Sequence, residues 1–418
     1  MTSFSELGLG TPILQALAQQ NHTTPTPIQI QAIPPTMAGH DLLGIAQTGT
    51  GKTAAFALPI LHRLSRNPAK RSPKKCRILV LTPTRELANQ IGERFESYGQ
   101  LLAAKTVVAI GGVHIKKQSR AMAGGAEILI ATPGRLIDLV ERKGVQLDSV
   151  EVLVLDEADR MLDMGFVRPI RRIAGWVPKS RQSLFFSATM PDAIAGLADT
   201  LLSSPVKVSV ATKTKTADRI QQQIVFVGSS QKQRTLVEIL AREEVQRTLV
   251  FARTKRGADR IVRGLATSGV RASAIHGNKS QQQRERALNG FRAGRVPVLV
   301  ATDIAARGID VPAVTHVVNY DLPAEAESYV HRIGRTARAG AEGVALSICT
   351  NEDRANLRSI EKLIGIAIPF VGEKQDAGPR AARQGASPRA LPSRTKKTRP
   401  RRRRRGSPAP DGGHLRVA

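Results

Sequence analysis

Short apolar runs alternate with helix-length segments along most of this chain, and this alternation constrains its fold more than any other feature. The runs are rich in Val, Ile and Leu and lack a polar residue at every second position, which is typical of strands buried on both faces. Such strands form parallel sheets covered by helices, so the pattern predicts an α/β fold. The predicted strands are 42–46, 77–81, 106–110, 127–131, 150–155, 183–186, 224–227, 247–251, 271–275, 297–301, 316–319 and 344–349.

The alternation divides the chain into two domains and a tail. A polar stretch poor in strand-forming residues, 211–223, interrupts the pattern, which then resumes. We therefore predict two α/β domains, 1–208 and 209–372, joined near residues 205–220; a chain of 418 residues is long enough for both and an extension. In 373–418, Ala, Pro, Gly, Ser and Arg dominate and the apolar periodicity ends, so we predict a disordered basic tail.

The charge of the chain predicts a polyanionic partner. The net charge is +29, of which 373–418 contributes +11 because it holds 14 Lys or Arg and 3 acidic residues. The remaining +18 belongs to 1–372, so the two predicted domains are themselves basic. An excess of this size is the electrostatic signature of a protein that binds nucleic acid.

Cysteine content and hydropathy predict the compartment. Cys76 and Cys349, the only cysteines, are far apart and show no metal-ligand spacing, which favours a reducing environment. The first residues, M-T-S-F-S-E-L, lack the charged start and apolar core of a signal peptide. No apolar stretch approaches the ~18 residues of a membrane span. We therefore predict a cytoplasmic protein with no membrane partner.

Residues 46–53, A-Q-T-G-T-G-K-T, have the pattern of a phosphate-binding loop between a strand and a helix. Backbone N–H groups of such a loop cradle phosphates at the helix N-terminus. Lys52 would reach the β- and γ-phosphates, and the Thr53 hydroxyl would bind Mg²⁺. Ala46 stands where the usual pattern begins with Gly. The residues predicted to surround the phosphates are Thr48, Gly49, Thr50, Gly51, Lys52 and Thr53.

Acidic residues follow a later predicted strand, V-E-V-L-V-L. Carboxylates at the C-terminal end of a buried parallel strand face the ligand crevice of an α/β sheet. Asp156 fits a residue that holds Mg²⁺, and Glu157 fits one that orients and deprotonates the attacking water. Alone, the segment Asp156–Asp159 would equally fit a helix N-terminus enriched in acids. With the phosphate loop present, it predicts hydrolysis of a nucleoside triphosphate.

The predicted second domain contains no phosphate loop but has an arginine-rich segment, H-R-I-G-R-T-A-R, at 331–338. Arg335 and Arg338 are three residues apart and can lie on one face of a helical turn. Guanidinium groups of this kind stabilise a transferring phosphate, although a single Arg is commonly a surface residue. Because they lie on the other domain from Lys52 and Glu157, catalysis would require the two domains to close on one nucleotide.

A basic, Pro-containing segment, 63–77, joins a predicted helix to a predicted strand. Two interpretations remain open from its composition. It is either a loop whose charges are solvated or a loop that contacts nucleic acid.

Taken together, these motifs resemble those of the DEAD-box ATP-dependent RNA helicases, of the bacterial RhlE type, in the family's order from Phe4 to about Ala345. The resemblance implies two tandem RecA-like domains. Phe4 and the sequence P-T-P-I-Q at 25–29 are similar to the Q motif, which implies that Gln29 binds the adenine edge of ATP while Phe4 stacks on the ring. His22 stands where Tyr or Phe is usual. Asp310 would bind the ATP ribose.

The same resemblance implies residues that couple hydrolysis to strand separation and residues that bind RNA. The coupling residues would be Asp159, Ser187, Thr189 and His331. The RNA contacts would be to the sugar-phosphate backbone and therefore independent of sequence. The implied RNA-binding residues are Thr84, Arg85, Gly111, Gly112, Thr132 and Arg135 in the first domain, and Arg253, Gln281, Arg284, Thr302 and Asp303 in the second.

The resemblance implies that RNA-stimulated ATP hydrolysis drives non-processive, local unwinding of short RNA duplexes and remodelling of RNA–protein complexes. The implied settings are ribosome assembly and RNA decay, with ribosomal precursors or decay complexes as partners. Two other functions fit many of the same motifs. One is a clamp that uses ATP only to lock onto RNA, and the other is a translocase directed to DNA.

Overall fold

Two parallel sheets form the framework of the protein, seen in a computed structural model that describes residues 2–47, 49–210, 220–242, 245–306, 314–337 and 342–371. The chain divides into a compact unit, Met1–Lys374, and a C-terminal segment, Gln375–Ala418. The predicted tail, 373–418, lies outside the described residues. We call residues 2–210 the first lobe and residues 220–371 the second lobe.

The first lobe contains a seven-stranded sheet in which every neighbouring pair of strands is parallel. The strands are β1 Leu42–Ile45, β2 Cys76–Leu81, β3 Thr106–Ala109, β4 Ala126–Ala131, β5 Val152–Leu155, β6 Gln182–Ser187 and β7 Val206–Ser209. Their order across the sheet is β3-β4-β2-β5-β6-β1-β7.

The second lobe contains a six-stranded sheet that is also parallel throughout. Its strands are β8 Ile220–Phe226, β9 Thr248–Phe251, β10 Ala272–Ile275, β11 Val298–Ala301, β12 His316–Asn319 and β13 Gly343–Cys349. Their order is β10-β11-β9-β12-β13-β8.

Helices follow most of the strands and cover both sheets. The first-lobe helices are α1 Thr11–Gln19, α2 Pro27–Met37, α3 Lys52–Arg66, α4 Arg85–Tyr98, α5 Ile115–Met122, α6 Pro133–Glu141, α7 Ala158–Asp163, α8 Val167–Ala174 and α9 Asp192–Leu201. The second-lobe helices are α10 Lys232–Leu240, α11 Lys255–Thr267, α12 Gln281–Arg292, α13 Asp303–Ala306, α14 Ala326–Ile333 and α15 Arg354–Ile364. Short 3₁₀ turns occupy Ser5–Leu7 and Asn351–Asp353.

Successive residues of the central strands pack into different cores, one on each face of the sheet. In β5, Val152 and Val154 belong to the core that also contains Phe56 of α3. Leu153 and Leu155 belong to the core on the opposite face, with Phe185. Burial on both faces explains the continuous apolar runs and confirms the predicted α/β fold with two parallel sheets. Among the described residues, no helix has the length and apolar character needed to cross a membrane.

The predicted join between the domains, 205–220, was partly wrong. Its first residues form β7, Val206–Ser209, at the edge of the first sheet, and β8 begins at Ile220 within the stretch 211–223 that looked poor in strands. Both are edge strands with an exposed face, so polar residues interrupt their apolar pattern. In β8, for example, Gln221 is exposed, while the buried Gln222 accepts a hydrogen bond from the Tyr329 hydroxyl at 2.9 Å. Residues 211–219 lie outside the described ranges.

Candidate active site

The predicted phosphate loop lies between the end of β1 and the start of α3, as the sequence pattern requires. The buried Lys52 ammonium donates to the Ala46 carbonyl at 2.9 Å, and the Thr50 hydroxyl donates to the Gln47 carbonyl at 2.7 Å. Gly51 has φ +95°, and a Cβ there would collide with the Gln29 side chain. Only glycine suits both conditions. Thr48 lies outside the described residues.

A cavity of about 400 Å³ opens above this loop and brings together predicted residues from separate parts of the first lobe. Its walls come from the N-terminal segment, α2, α3, α4 and the end of β5. The predicted residues that line it are Phe4, Gln29, Gly49, Gly51, Lys52, Thr53, Asp156 and Glu157. The cavity is therefore the candidate binding site for a nucleoside triphosphate.

Gln29 joins the phosphate loop to the start of α2. Its side-chain oxygen accepts from the Thr26 backbone N–H at 2.8 Å, and its amide nitrogen donates to the Gly51 carbonyl at 3.1 Å. The first bond belongs to a capping box at the N-terminus of α2. Gln29 thus has a structural role that the motif alone did not reveal, and its contact with adenine stays a prediction.

His22, which stands where Tyr or Phe is usual, also lines the cavity and packs near a tyrosine ring. The centroid of the Tyr98 ring, from α4, lies 6.0 Å from that of the His22 ring. Burial and the charge of Arg94 lower the pKa of His22 below its usual range, which favours the neutral imidazole. Tyr98 and Arg94 both line the cavity and were not predicted, because nothing in their local sequence marks them.

Asp156 has the environment of a metal ligand. Burial raises its pKa to about 6, against the opposing charge of Lys52 and with the added repulsion of Glu157. Its Oδ1 atom is buried and has no hydrogen-bond partner among the described residues. A carboxylate oxygen in the cavity that Thr53 also lines fits Mg²⁺, which prefers oxygen ligands and retains water and phosphate oxygens in its shell.

Glu157 occupies a strained position and is already paired. It precedes α7 with φ +57°, in the left-handed region that costs a non-glycine residue free energy. Its carboxylate accepts from Arg160 Nη1 at 2.9 Å, and both side chains are almost fully buried. Sequence reasoning missed Arg160, although it immediately follows the acidic segment.

The segment after β6 is hydrogen-bonded to the acidic segment after β5. Asp159 Oδ2 accepts from the backbone N–H groups of Ala188 and Thr189, at 3.1 and 3.0 Å, and from the Thr189 hydroxyl at 3.1 Å. The Ser187 hydroxyl accepts from the Asp159 backbone N–H at 3.2 Å. These bonds join the ends of two adjacent strands; their role in coupling stays a prediction.

The second lobe brings its arginine-rich segment beside the acidic segment. Arg335 is buried and its Nε donates to the His331 carbonyl at 3.2 Å. Arg335, His331 and Arg332 line a small cavity together with Arg160 of the first lobe. Arg160 therefore contacts Glu157 on one side and faces the second lobe on the other. Arg338 and Asp310, the other predicted nucleotide contacts of this lobe, lie outside the described residues.

The first-lobe residues that the resemblance assigns to RNA cluster at the ends of β2, β3 and β4. The Thr84 hydroxyl accepts from the Leu87 backbone N–H at 3.3 Å and caps α4. Arg85 packs on Gly111 and Gly112, and a Cβ on Gly112, which has φ +78°, would collide with its guanidinium. The two remaining residues are the buried Thr132, which precedes α6, and Arg135, whose Nη1 donates to the Val113 carbonyl at 2.7 Å.

The corresponding second-lobe residues lie at the ends of β9 and β11 and at the start of α12. Arg253 Nη2 donates to Asp353 at 3.3 Å, and its side chain is 59% exposed. Thr302 is buried directly after β11. Asp303 accepts two bonds from the Arg332 guanidinium, at 2.5 and 2.6 Å. Of these three side chains, Arg253 is the one presented to solvent, and the contacts of all three with RNA stay predictions.

Gln281 and Arg284 connect the lobes directly in this structure. The Gln281 side-chain oxygen accepts from Arg85 Nη1 at 3.5 Å. Arg284 Nε donates to Glu86 at 2.7 Å, and both side chains are nearly buried. Sequence reasoning treated Arg284 as an RNA contact and did not pair it with Glu86, which follows Arg85 in the first turn of α4. The pair forms part of the contact between α4 and α12.

The chain matches two protein-family models, "DEAD/DEAH box helicase" over residues 26–197 and "Helicase conserved C-terminal domain" over residues 231–340. It is 42% identical over 362 residues to the DEAD-box ATP-dependent RNA helicase CshA of Bacillus cereus, covering 87% of this chain and 68% of that protein. It is 44% identical over 370 residues to the ATP-dependent rRNA helicase RRP3 of Eremothecium gossypii, covering 88% and 75%.

Solved structures match over both lobes. Saccharomyces cerevisiae Dbp5 bound to RNA and ADP BeF3 gives a TM-score of 0.78 at 34% identity, covering 89% of this chain and 96% of Dbp5. Mss116p bound to single-stranded RNA and AMP-PNP gives 0.79 at 28% identity, covering 90% and 80%. The second lobe thus shares the family architecture along with the first.

Proposed function

The chain belongs to the DEAD-box ATP-dependent RNA helicases, and from this premise we propose that it separates short RNA duplexes locally by closing its two lobes on ATP and one RNA strand. The observation that carries the proposal is the path from Glu157 through Arg160 to the cavity lined by Arg335. It links the group assigned to the attacking water with the lobe that supplies positive charge. Hydrolysis would then depend on closure.

In this proposal the first lobe holds the nucleotide. The loop N–H groups and Lys52 bind the phosphates, while Phe4 and Gln29 bind the adenine. Thr53 and Asp156 would hold Mg²⁺, which supplies charge neutralisation when bound. Glu157 orients the attacking water and accepts its proton, and Arg335 stabilises the charge on the transferring phosphate. The predicted partners Arg338 and Asp310 would complete the site.

RNA would bind across the cleft with its sugar-phosphate backbone on the two clusters at the strand ends. Backbone contact explains binding without base specificity. Dbp5 and Mss116p have been solved with RNA and a nucleotide, which supports proposing the same two ligands here. The closed surface favours a single strand over a duplex, so closure shifts the population of a short duplex toward separation, without processive movement.

We also propose the finer assignment to the bacterial RhlE type and a setting in ribosome assembly or RNA decay. The RhlE assignment rests on the order of the motifs and on their amino-acid sequences. The similarity of the chain to CshA and RRP3 shows only the wider DEAD-box family. RRP3 is described as an rRNA helicase, which supports ribosome assembly as the first setting to test.

ATP turnover is expected to rise at least ~10-fold on addition of single-stranded RNA, because RNA binding stabilises the closed state in which the catalytic groups meet. The measurement is steady-state ATP hydrolysis with RNA, with DNA of equal length and sequence, and with neither. A clamp without turnover would show no RNA-dependent hydrolysis, and a DNA translocase would respond more to DNA. Separation of a short labelled RNA duplex, measured in parallel, would distinguish a helicase from an RNA-stimulated ATPase.

Neutralising Glu86 by Glu86→Gln is expected to weaken RNA binding in the presence of a non-hydrolysable ATP analogue. It leaves the nearly buried Arg284 without a charged partner across the lobes. A double-mutant cycle with Arg284→Gln should give a coupling energy of roughly 1–3 kcal/mol. The control is the interlobe pair Glu93–Arg292, whose oxygen and nitrogen are 3.9 Å apart and whose side chains are 62% and 28% exposed, so its coupling should be about 0–1 kcal/mol. Equal coupling in both cycles would contradict a role for Glu86 in closure.

A further inference from the structure

We propose that the first lobe carries a second RNA-binding surface outside the cleft, made by the exposed face of α5 and the basic loop after α3. We call it the α5 surface, and it consists of Lys70, Lys74, Lys116, Lys117 and Arg120. It would bind the phosphates of RNA that continues beyond the strand held between the lobes. The inference rests on the proposed function, because it extends the same RNA path.

Helix α5 separates its apolar and basic residues onto opposite faces. Gln118 and Met122 are buried, and Ile115 packs partly against the core. Lys116, Lys117 and Arg120 are exposed, and at 100° per residue they lie together on the side away from the core. The helix therefore presents a short strip of positive charge to solvent.

The beginning of α5 is fixed to the predicted RNA site. The Gln118 side chain donates to the Ile110 carbonyl at 2.8 Å, one residue before Gly111. Arg135, itself an implied RNA contact, donates to the Val113 carbonyl at 2.7 Å. The strip thus begins where the implied first-lobe RNA contacts end.

The other end of α5 is fixed to the basic loop. The Lys74 backbone N–H donates to the Met122 carbonyl at 3.0 Å, which places the loop against the last turn of the helix. Gly125 has φ +76°, and a Cβ there would collide with the Ser72 carbonyl, so loop and helix end pack closely. The eight residues of α5 span about 12 Å, the length of roughly three to four stacked nucleotides at ~3.4 Å each.

The charges of the α5 surface are uncompensated, unlike those of the neighbouring cations. Arg71, Lys75 and Arg77 pair with Glu127, Asp148 and Glu151. Within the described part of the chain, none of the five residues of the α5 surface forms an ion pair with an acid. Like charges four residues apart, as at Lys116 and Arg120, lower the stability of a helix. A helix face that is merely solvated typically alternates positive and negative charges, and this face does not. Lysines and arginines in such a row fit a phosphate backbone, which they bind without reading bases.

The test compares RNAs of two lengths on the full chain. The variant carries Lys70→Gln, Lys74→Gln, Lys116→Gln and Arg120→Gln. The probes are a short single strand that fills the cleft and two longer strands, which extend it by about ten nucleotides at the 5′ end or at the 3′ end. Wild type should bind one of the extended strands about 10-fold more tightly than the short one, and the variant should lose that gain. The slope of log affinity against log salt should fall by up to about 3, since each phosphate contact on a single strand contributes ~0.7. Affinity for the short strand should not change.

A matched control removes four charges elsewhere, by Lys179→Gln, Lys207→Gln, Arg358→Gln and Lys362→Gln, all at exposed positions. It should keep the gain from the extension. The proposal is overturned if the variant keeps that gain, as it would if the α5 surface binds a protein, or if the control loses as much. Failure of the proposed function is a separate result, since it would show as no stimulation of ATP hydrolysis by the short strand in wild type.

Discussion

Replacing Lys52 with alanine is expected to reduce ATP turnover by at least ~10²–10³-fold, the loss typical of removing one preorganised charge-stabilising group. The Lys52 ammonium is buried in the cavity that also contains Asp156, at the start of α3. No other lysine lines this cavity in the described part of the chain. Its removal leaves the transferring phosphate without the charge that the phosphate loop supplies. The measurement is kcat for ATP hydrolysis at saturating RNA.

The control for this substitution is Lys105→Ala. The Lys105 ammonium also donates to backbone carbonyls of the first lobe, those of Ala121 and Gly125, but it lies outside the cavity. Its variant should keep normal turnover. Thermal unfolding of both variants shows whether each chain remains folded. A folded Lys52→Ala protein with near-normal turnover would refute the phosphate-loop assignment.

Replacing Glu157 with glutamine is expected to block hydrolysis while ATP and RNA remain bound. Glutamine keeps the shape of the side chain and can still accept a hydrogen bond from Arg160, so the buried contact with that residue survives in part. It cannot accept a proton from the attacking water, which is the role assigned to Glu157. Single-turnover hydrolysis should therefore fall by roughly 10²–10⁴-fold. RNA release in the presence of ATP should become correspondingly slow.

A suitable comparison is Glu151→Gln. Glu151 is also a paired carboxylate of the first lobe, bound by Arg63 and Arg77, but it lies before β5, at the end of that strand opposite to Glu157. That variant should hydrolyse ATP normally. If Glu157→Gln instead loses affinity for ATP, the glutamate is structural and another group activates the water.

How much of the fold could be predicted depended on how deeply each strand is buried. β5 is covered on both faces, so its apolar run was recognised in the sequence, and β12 was predicted with its observed limits, 316–319. β7 lies at an edge with Lys207 and Ser209 exposed, and its four residues were assigned to the join. A strand with one solvent face is short of apolar residues, and its place in the sheet is decided by the partner that it pairs with.

For the site, the sequence was sufficient where a motif is local and insufficient where residues meet through folding. The phosphate loop and the acidic segment are contiguous, and their spacing alone placed Lys52 and Asp156. Arg160 and Tyr98 carry no such spacing, since the contacts of Arg160 with Glu157 and of Tyr98 with His22 exist only in three dimensions. The contact between Arg284 and Glu86 could not be predicted for the same reason, because the two residues are almost two hundred positions apart in the sequence.

The two hydrogen bonds of Gln29 have a consequence for how substitutions at this position should be interpreted. One amide group secures both the first turn of α2 and the Gly51 carbonyl of the phosphate loop. Shortening it would therefore disturb triphosphate affinity and base discrimination at once. A weaker preference for adenine over guanine in a Gln29→Ala enzyme is not, by itself, a measure of base reading. Comparing inorganic triphosphate with ATP as competitors would separate the two effects.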